Sequence, residues 1–280
     1  MKTKLLAIII CLLSISIVSD AQSNSIQIGF GFQRTWILDQ QGSPLKYQTK
    51  EKVLSLGYQH FNENSALDIQ LNGALGDFFP AGFFNRQLYD PGFNPDGSHK
   101  TDSSLMNGKI YSGRIKLGYL RSVSNGYSVI DKKDLYSKNY VGASLNNQLF
   151  YTDNFTRTGW INSSSLNGEF YHRSNFNERN RFEIKISIPL FARVTRLPYH
   201  NSISSSTGDS NVKTFFKEGS RFAWIGNFQN VQIDAGYECM VNKNVGVGMH
   251  YFGQWLHYEK EKPINLFQNQ LALKASLNYQ

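Results

Sequence analysis

Five acids and five bases in this 280-residue sequence fall on one repeating row, where acid–base chemistry could be done. Asp68, Glu169, Glu183, Asp234 and Glu238 supply carboxylates, and Arg114, Lys116, Arg181, Lys185 and Lys274 supply as many cations. Gln70, Asn72, Ser144, Asn146, Gln148, Gln254, Gln270 and Ser276 share that row. His250, with Asp234 or Glu238 beside it, forms the best candidate acid–base group, an imidazole with a carboxylate to orient it. The competing reading is an imidazole satisfied among polar neighbours. A row balanced in sign points to mutual pairing, whereas an ion-selective channel would carry one sign in excess. No motif fixes a role for His60, His99, His172, His200 or His257. No cofactor is implied. A stretch at Asn94-Pro95-Asp96-Gly97 lacks the acidic spacing and closing glutamate of a calcium loop, so no metal is expected there.

The elements that hold these residues alternate with a period of two. Ile26, Ile28, Phe30 and Phe32 are apolar, while Gln27, Gly29, Gly31 and Gln33 between them are not. This is a strand with one dry and one polar face. The pattern recurs at Leu54–Tyr58, Leu67–Leu75, Tyr111–Tyr119, Val141–Tyr151, Phe182–Leu190, Val231–Tyr237, Val245–Tyr251 and Phe267–Tyr279, with a weaker instance at 160–172. Ten strands are expected, with eight or twelve as alternatives. Short turns fall at 62–64, 174–179 and 242–244, and longer loops at 39–50, 77–106, 153–159, 194–227 and 259–265. Residues 122–137 break the alternation as a long connection where a short turn belongs.

Short turns on one side and long loops on the other predict a closed antiparallel transmembrane β-barrel, all-β in class. In lipid every backbone N–H and C=O needs a partner, so the sheet must close. Its apolar parity then faces lipid and its charged parity faces the lumen. Aromatic residues bracket the apolar rows: Trp36, Tyr111, Tyr151, Trp160 and Trp255 toward the loops, and Tyr58, Tyr119, Phe170, Phe182 and Tyr237 toward the turns. Such rings sit well at headgroup level. A secreted soluble β-sandwich is the competing architecture.

Lys2 and Lys4, the apolar stretch from Leu5 to Val18 and Ser19-Asp20-Ala21 have the layout of a secretory signal peptide over residues 1–21. Residues 22–280 then form the barrel domain. Cleavage lowers the net charge from +8 to +7 and leaves Cys239 as the single cysteine, so no internal disulfide or thiolate metal cluster is possible. A lone cysteine of this kind is ordinarily a small packed hydrophobe. The composition, 40% hydrophobic, 18% charged and 14% aromatic, excludes a polytopic helical membrane protein and disfavours a disordered chain.

Taken together, the segment 1–21, the ten alternating strands and the last strand at 266–280, with Tyr279 penultimate, resemble the small β-barrel outer-membrane proteins of Gram-negative bacteria. The resemblance implies a location in the bacterial outer membrane and recognition of the last strand by the barrel-assembly machinery. It covers nearly the whole mature chain and says nothing specific about activity.

Two loops stand out. Residues 77–106 carry Phe78, Phe79, Phe83, Phe84, Tyr89 and Phe93, too many rings for a polar linker, and are expected to pack on themselves as a plug or lid, or to present a binding patch. Residues 194–227 carry Arg196, Lys213, Lys217 and Arg221, which would suit lipopolysaccharide headgroups. Nucleic acid is not expected, since no basic stripe appears. The leading expectation is a non-enzymatic barrel with an envelope binding, scaffold or slow solute-passage role, its interior mostly filled by ion pairs. The alternative is a membrane-embedded hydrolase acting on lipid or peptide at the extracellular rim.

Overall fold

The computed structural model describes the chain except residues 1–22, 41–44, 90–91, 100–102, 106, 131–132, 154–158, 178, 197–210, 261 and 280. The expected signal segment lies outside the described residues. Among the described residues thirteen strands and one helix follow in chain order: β1 (Ser23–Asp39), β2 (Lys46–Phe61), β3 (Ser65–Pro80), β4 (Gln87–Tyr89), β5 (Ser103–Leu105), β6 (Gly108–Ile130), β7 (Lys133–Asp153), β8 (Gly159–Asn175), β9 (Asn180–Arg196), α1 (Asn211–Glu218), β10 (Ser220–Trp224), β11 (Phe228–Met240), β12 (Val245–Tyr258) and β13 (Ile264–Tyr279). Ten of them form the wall, each antiparallel to its neighbours in the order β1-β2-β3-β6-β7-β8-β9-β11-β12-β13. β1 and β13 close the ring, pairing continuously from Asn24–Tyr279 to Asp39–Ile264.

The alternation seen in the sequence is the inside–outside alternation of this wall. Along β1, Ser25, Gln27, Gly29, Gly31, Gln33 and Thr35 are buried, while Ile26, Ile28, Phe30 and Phe32 are exposed. Phe30 is 64% exposed, Leu145 58% and Leu273 65%, and these apolar rows continue around the wall. So large a contiguous apolar surface is stable only against hydrocarbon. Trp36 and Phe267 pack at 5.9 Å on the loop side of the belt, and on the turn side Tyr58 donates to Asn24 and Tyr237 to Asn180. The rings thus meet hydrocarbon while their hydroxyls find partners, as headgroup-level residues require. Cys239 also departs from expectation: on the outward row of β11 it is exposed, not packed.

Four loop boundaries differ from the sequence expectation, the first being the loop expected over 39–50, which ends where β2 begins at Lys46. The described residues of 122–137 are strand, not loop. β6 and β7 run on as a two-stranded ribbon, offset by a bulge between Ser122 and Ser124 and paired as far as Ile130–Lys133. The strand count therefore stays at ten. The loop expected from residue 77 begins after Pro80, because β3 pairs with β2 to the end, and β4 and β5 form a small hairpin within it. Within 194–227, β9 continues to Arg196 and is followed, past residues 197–210, by α1 and β10.

Pro189 explains an irregularity in the wall. It has no N–H to give to a ladder. β8 steps from Phe191 to Pro189, skipping Leu190, and on the other side β10 pairs with Phe191–Thr195 while β11 resumes only at Ser187. The inside–outside parity shifts there, so that Leu190 and Phe191 both face outward.

Candidate functional site

The polar row of the sequence lies inside the barrel, and the structure shows which members meet. Lys116 Nζ contacts Glu169 Oε1 at 2.6 Å and Asp68 Oδ2 at 3.9 Å, and Lys185 Nζ reaches Asp68 Oδ1 at 3.0 Å. Gln59 and Gln70 donate to the same Asp68 carboxylate at 3.2 and 3.0 Å. One carboxylate thus ties together side chains from β2, β3, β6 and β9. Nearer the end with the short turns, Arg181 Nη1 pairs with Glu238 Oε2 at 2.9 Å, and Ser276 donates to the other oxygen of Glu238. Tyr171 donates to Glu183 at 2.7 Å. Charges taken from water are tolerable only when paired and hydrogen-bonded in this way.

Arg114 is held differently. Its guanidinium lies 3.7 Å from the centre of the Phe252 ring, bridging β6 and β12 across the lumen as a cation–π contact. Lys274 is half-buried on β13, with its stem over Gly29 of β1.

His250 lies between two acids, with Nδ1 3.6 Å from Asp234 Oδ1 and Nε2 3.8 Å from Glu183 Oε1. Its ring stacks over Gly236, where a Cβ would fall 2.3 Å from Cε1, so a larger residue at this lumen position of β11 would displace the imidazole. Asp234 is one of the two acids expected beside it; Glu238, the other, is engaged by Arg181 and Ser276. Both acid distances exceed hydrogen-bond reach, and the imidazole is buried inside the wall.

Two interior features escaped the sequence reading. The first is Glu51, 2% exposed, whose carboxylate accepts from Thr49 at 2.6 Å, Gln33 and Ser112 at 2.9 Å, and Thr35 at 3.0 Å. The run Lys50-Glu51-Lys52 reads as a solvated charge cluster, but its parity turns the lysines out and the glutamate in. The second is a layer of apolar side chains at the long-loop end of the lumen. Ile37, Phe78, Ile110, Phe150, Val194, Phe228, Leu256, Tyr258, Ile264 and Leu266 form its buried core, with Ala192 and Ala223, and Tyr47 and Ile161 pack against it. Every wall strand contributes. Beneath it Gln148 and Gln254 bridge the lumen amide to amide at 2.8 Å, and Gln268 donates to Gln33 at 2.7 Å. Phe61, Ala66, Leu120, Tyr140 and Tyr171 form a smaller cluster at the short-turn end.

The aromatic residues expected to act together are separated. Phe78 joins the apolar layer and stacks on Tyr47 at 4.6 Å. Phe79 turns to the outer face, where Phe84 folds back onto it at 4.7 Å. Phe83 is exposed beside the Arg86 guanidinium, and Phe93 packs against His99. The side chain of Tyr89 lies outside the described set. Of the basic loop, Arg196 turns inward instead of toward headgroups. It pairs with Asp39 and donates to the carbonyl of Lys262 at 2.7 Å.

Three histidines sit near the rims on the outward rows, each on an asparagine of a neighbouring strand: His60 on Asn24 at 2.8 Å, His257 on Asn265 at 2.7 Å and His172 on Asn139 at 2.7 Å. Only His172 also meets a hydroxyl, with Ser174 Oγ 2.6 Å from its Nε2. Asn139 donates in turn to Ser124 at 2.8 Å, which leaves its Oδ1 to accept from His172 Nδ1. The hydroxyl–imidazole–amide series therefore lies at the rim with the short turns. His200 lies outside the described residues. Among the described residues no three His, Cys, Asp or Glu side chains are arranged to hold a metal ion.

No family model matches the chain, and no curated protein is similar to it in sequence. Solved structures are similar in fold. The outer-membrane protease OmpT of Escherichia coli superposes with a TM-score of 0.51 at 9% identity, over 95% of this chain and 100% of that one. The fold is that of an outer-membrane β-barrel. The translocator domain of the autotransporter NalP from Neisseria meningitidis gives 0.37 at 9% identity over 99% and 94%, and an outer-membrane channel of Pseudomonas putida F1 gives 0.35 at 7% over 95% and 98%. With its ten closed strands and apolar belt, this barrel resides in the bacterial outer membrane.

Proposed function

We propose that the chain is a sealed barrel that acts through its surfaces, as a binding or scaffold element of the envelope, and does not conduct solutes. One observation carries this reading: the apolar layer to which all ten wall strands contribute. An ion crossing it would lose its water with no polar group to replace it. Beneath it, Lys116–Glu169, Lys185–Asp68 and Arg181–Glu238 are closed ion pairs, with each charge already matched inside the wall. Planar-bilayer recording of the purified full-length protein tests this. Silent membranes are expected for the natural protein, and current steps for a Phe78→Ser/Phe228→Ser variant. Large, stable steps from the natural protein would refute the sealed reading.

The Ser174–His172–Asn139 series supports a second reading, a lipid hydrolase working at the periplasmic rim rather than the extracellular one. Ser174 Oγ would attack an acyl ester carbonyl and pass its proton to His172 Nε2, while Asn139 holds Nδ1–H in the required tautomer. The alcohol would leave with that proton, and water would then release the fatty acid. Release of fatty acid from phosphatidylglycerol in mixed micelles, lost in Ser174→Ala and in His172→Asn, is the expected result. No release by the natural protein, or full release by Ser174→Ala, rejects it.

A further inference from the structure

The extracellular rim carries a cavity on its outward side that none of the preceding roles uses. It has a volume of about 240 Å³ and is lined by Arg34, Trp36, Gln48, Lys50, Phe79 and Phe84, with Thr49 and Gly82 completing it. The fold makes it in two steps. After β3 the chain turns sharply: Ala81 N–H bonds the carbonyl of Lys46, Phe83 N–H bonds that of Pro80, and Gly82 takes φ +83°. That turn brings Phe84 back over Phe79 and places its ring 3.5 Å from Lys50 Nζ. The walls are therefore aromatic and the floor is the outward face of β1 and β2.

The charges there are poorly matched without a ligand. Arg34 and Lys50 stand opposite each other, between the paired positions Gln33–Glu51 and Trp36–Gln48. Like charges directly across a ladder repel. Lys52 adds a third cation on the same outward row of β2. The nearest outward acid, Asp77, is opposite Lys50, but its carboxylate is bound to Lys109 at 2.7 Å. Among the described residues Arg34 and Lys50 have no ion pair, and Lys50 Nζ lies over the Phe79 and Phe84 rings. Glu51 lies on the other side of the wall, with its oxygens already hydrogen-bonded.

We propose that this cavity binds the phosphorylated headgroup of an outer-leaflet lipid. The position selects a lipid, because the site opens outward beside Trp36, at the level where hydrocarbon gives way to headgroups. The cations select phosphate. Arg34 offers a planar fork of donors, and Lys50 a point charge across the ladder from it. Gln48 provides an amide for a hydroxyl, and Trp36 and Phe84 provide flat walls for the sugar or glycerol that bears the phosphate. At ~30 Å³ per water the space equals about eight waters, enough for a phosphate with part of its carrier. The inference holds whether or not the lumen conducts, since it depends only on the outward face.

Native mass spectrometry of the full-length protein, released from detergent micelles, provides the test. The probes are a diphosphorylated glucosamine-disaccharide lipid, phosphatidylcholine and free inorganic phosphate. Retention of the diphosphorylated lipid well above phosphatidylcholine is expected. It should fall by about tenfold or more in Arg34→Gln/Lys50→Gln, but not in the periplasmic-side control Arg179→Gln/Lys243→Gln. Heat-modifiable gel mobility identifies the folded variants, and the single Arg34→Gln change supplies a milder second measurement. Equal retention by the natural protein and the Arg34/Lys50 variants would overturn the proposal, as would an equal loss in the control. Displacement of the lipid by millimolar inorganic phosphate would identify free phosphate, not a lipid, as the ligand.

Discussion

Leu273→Arg tests the orientation of the wall most directly. The outward row of β13 runs Phe267, Asn269, Leu271, Leu273, Ala275, Leu277, Tyr279, with Leu273 at its centre. Six residues separate it from each end. At ~3.3 Å per residue and ~40° of tilt, that is about 15 Å of depth on either side, so Leu273 lies near the midplane of a ~25 Å apolar band. Its cross-strand neighbours are Phe30 and Met249, which offer an arginine no acceptor. The expected cost is about 2–4 kcal/mol, while Leu277→Arg, two positions nearer the rim, should cost about 0–1 kcal/mol. Gln270→Arg, one row inside, escapes the lipid penalty altogether. Urea titration of reversible folding into phosphatidylcholine vesicles measures all three. At 1.4 kcal/mol per decade the midplane change corresponds to about 30- to several-hundredfold in the folding constant. Equal costs at 273 and 277, or a lower cost at 273 than at 270, would refute the assignment of that row to lipid.

The remaining predictions concern the interior, the seam and the outer loop. Lys116→Met removes the only cation within 4 Å of Glu169 among the described residues and one of two on Asp68; it should cost about 3–5 kcal/mol in the same titration, and Lys116→Met/Glu169→Gln should recover part of it. Gly31→Ala should slow or prevent barrel closure, because a Cβ there would fall 2.2 Å from the carbonyl oxygen of Leu271, a backbone atom of the closing strand; folding kinetics followed by gel mobility would show it. Asp96, in the outer loop, accepts from both Oγ and N–H of Ser98, and these bonds hold its carboxyl below the ordinary aspartate value. The bonded turn is therefore favoured above the ordinary aspartate range and lost as pH falls through the lowered value. Ser98→Ala should move the Asp96 midpoint upward by NMR titration, and an unchanged midpoint would show that Ser98 is not the cause.

Much of the architecture was legible because lipid and lumen demand opposite chemistry from successive residues. Ile26 to Phe32 and Leu271 to Leu277 show this as plain alternation, and it locates Lys116, Lys185 and Asp68 on one side of the wall. Parity alone could not say which charges meet. Asp68 joins Lys185 through the curvature that brings β3 toward β9, and no sequence spacing encodes that contact. The apolar layer did leave a trace: Trp36-Ile37, Ile110-Tyr111, Phe150-Tyr151, Trp255-Leu256 and Leu266-Phe267 are apolar at both parities, always toward the long loops. Read as girdle alone, these pairs hid the seal, since only one member of each faces out. Glu51 was hidden by the lysines on either side. The His172 series spans two strands through Asn139, a partner that only the β7–β8 register supplies.

The gap at Pro189 has a thermal consequence. A barrel without edges unfolds by parting one of its seams, and the parting starts where the ladder is least continuous. The β9–β11 ladder covers only Gln232–Cys239 before it breaks, whereas the closing seam runs unbroken for the length of β1. Fluctuations should accordingly concentrate in the outer leaflet beside Ile188 and Leu190, and deuterium should enter there before it reaches Phe30 or Leu273. Where a cylinder first breathes is set in this case by one missing amide hydrogen.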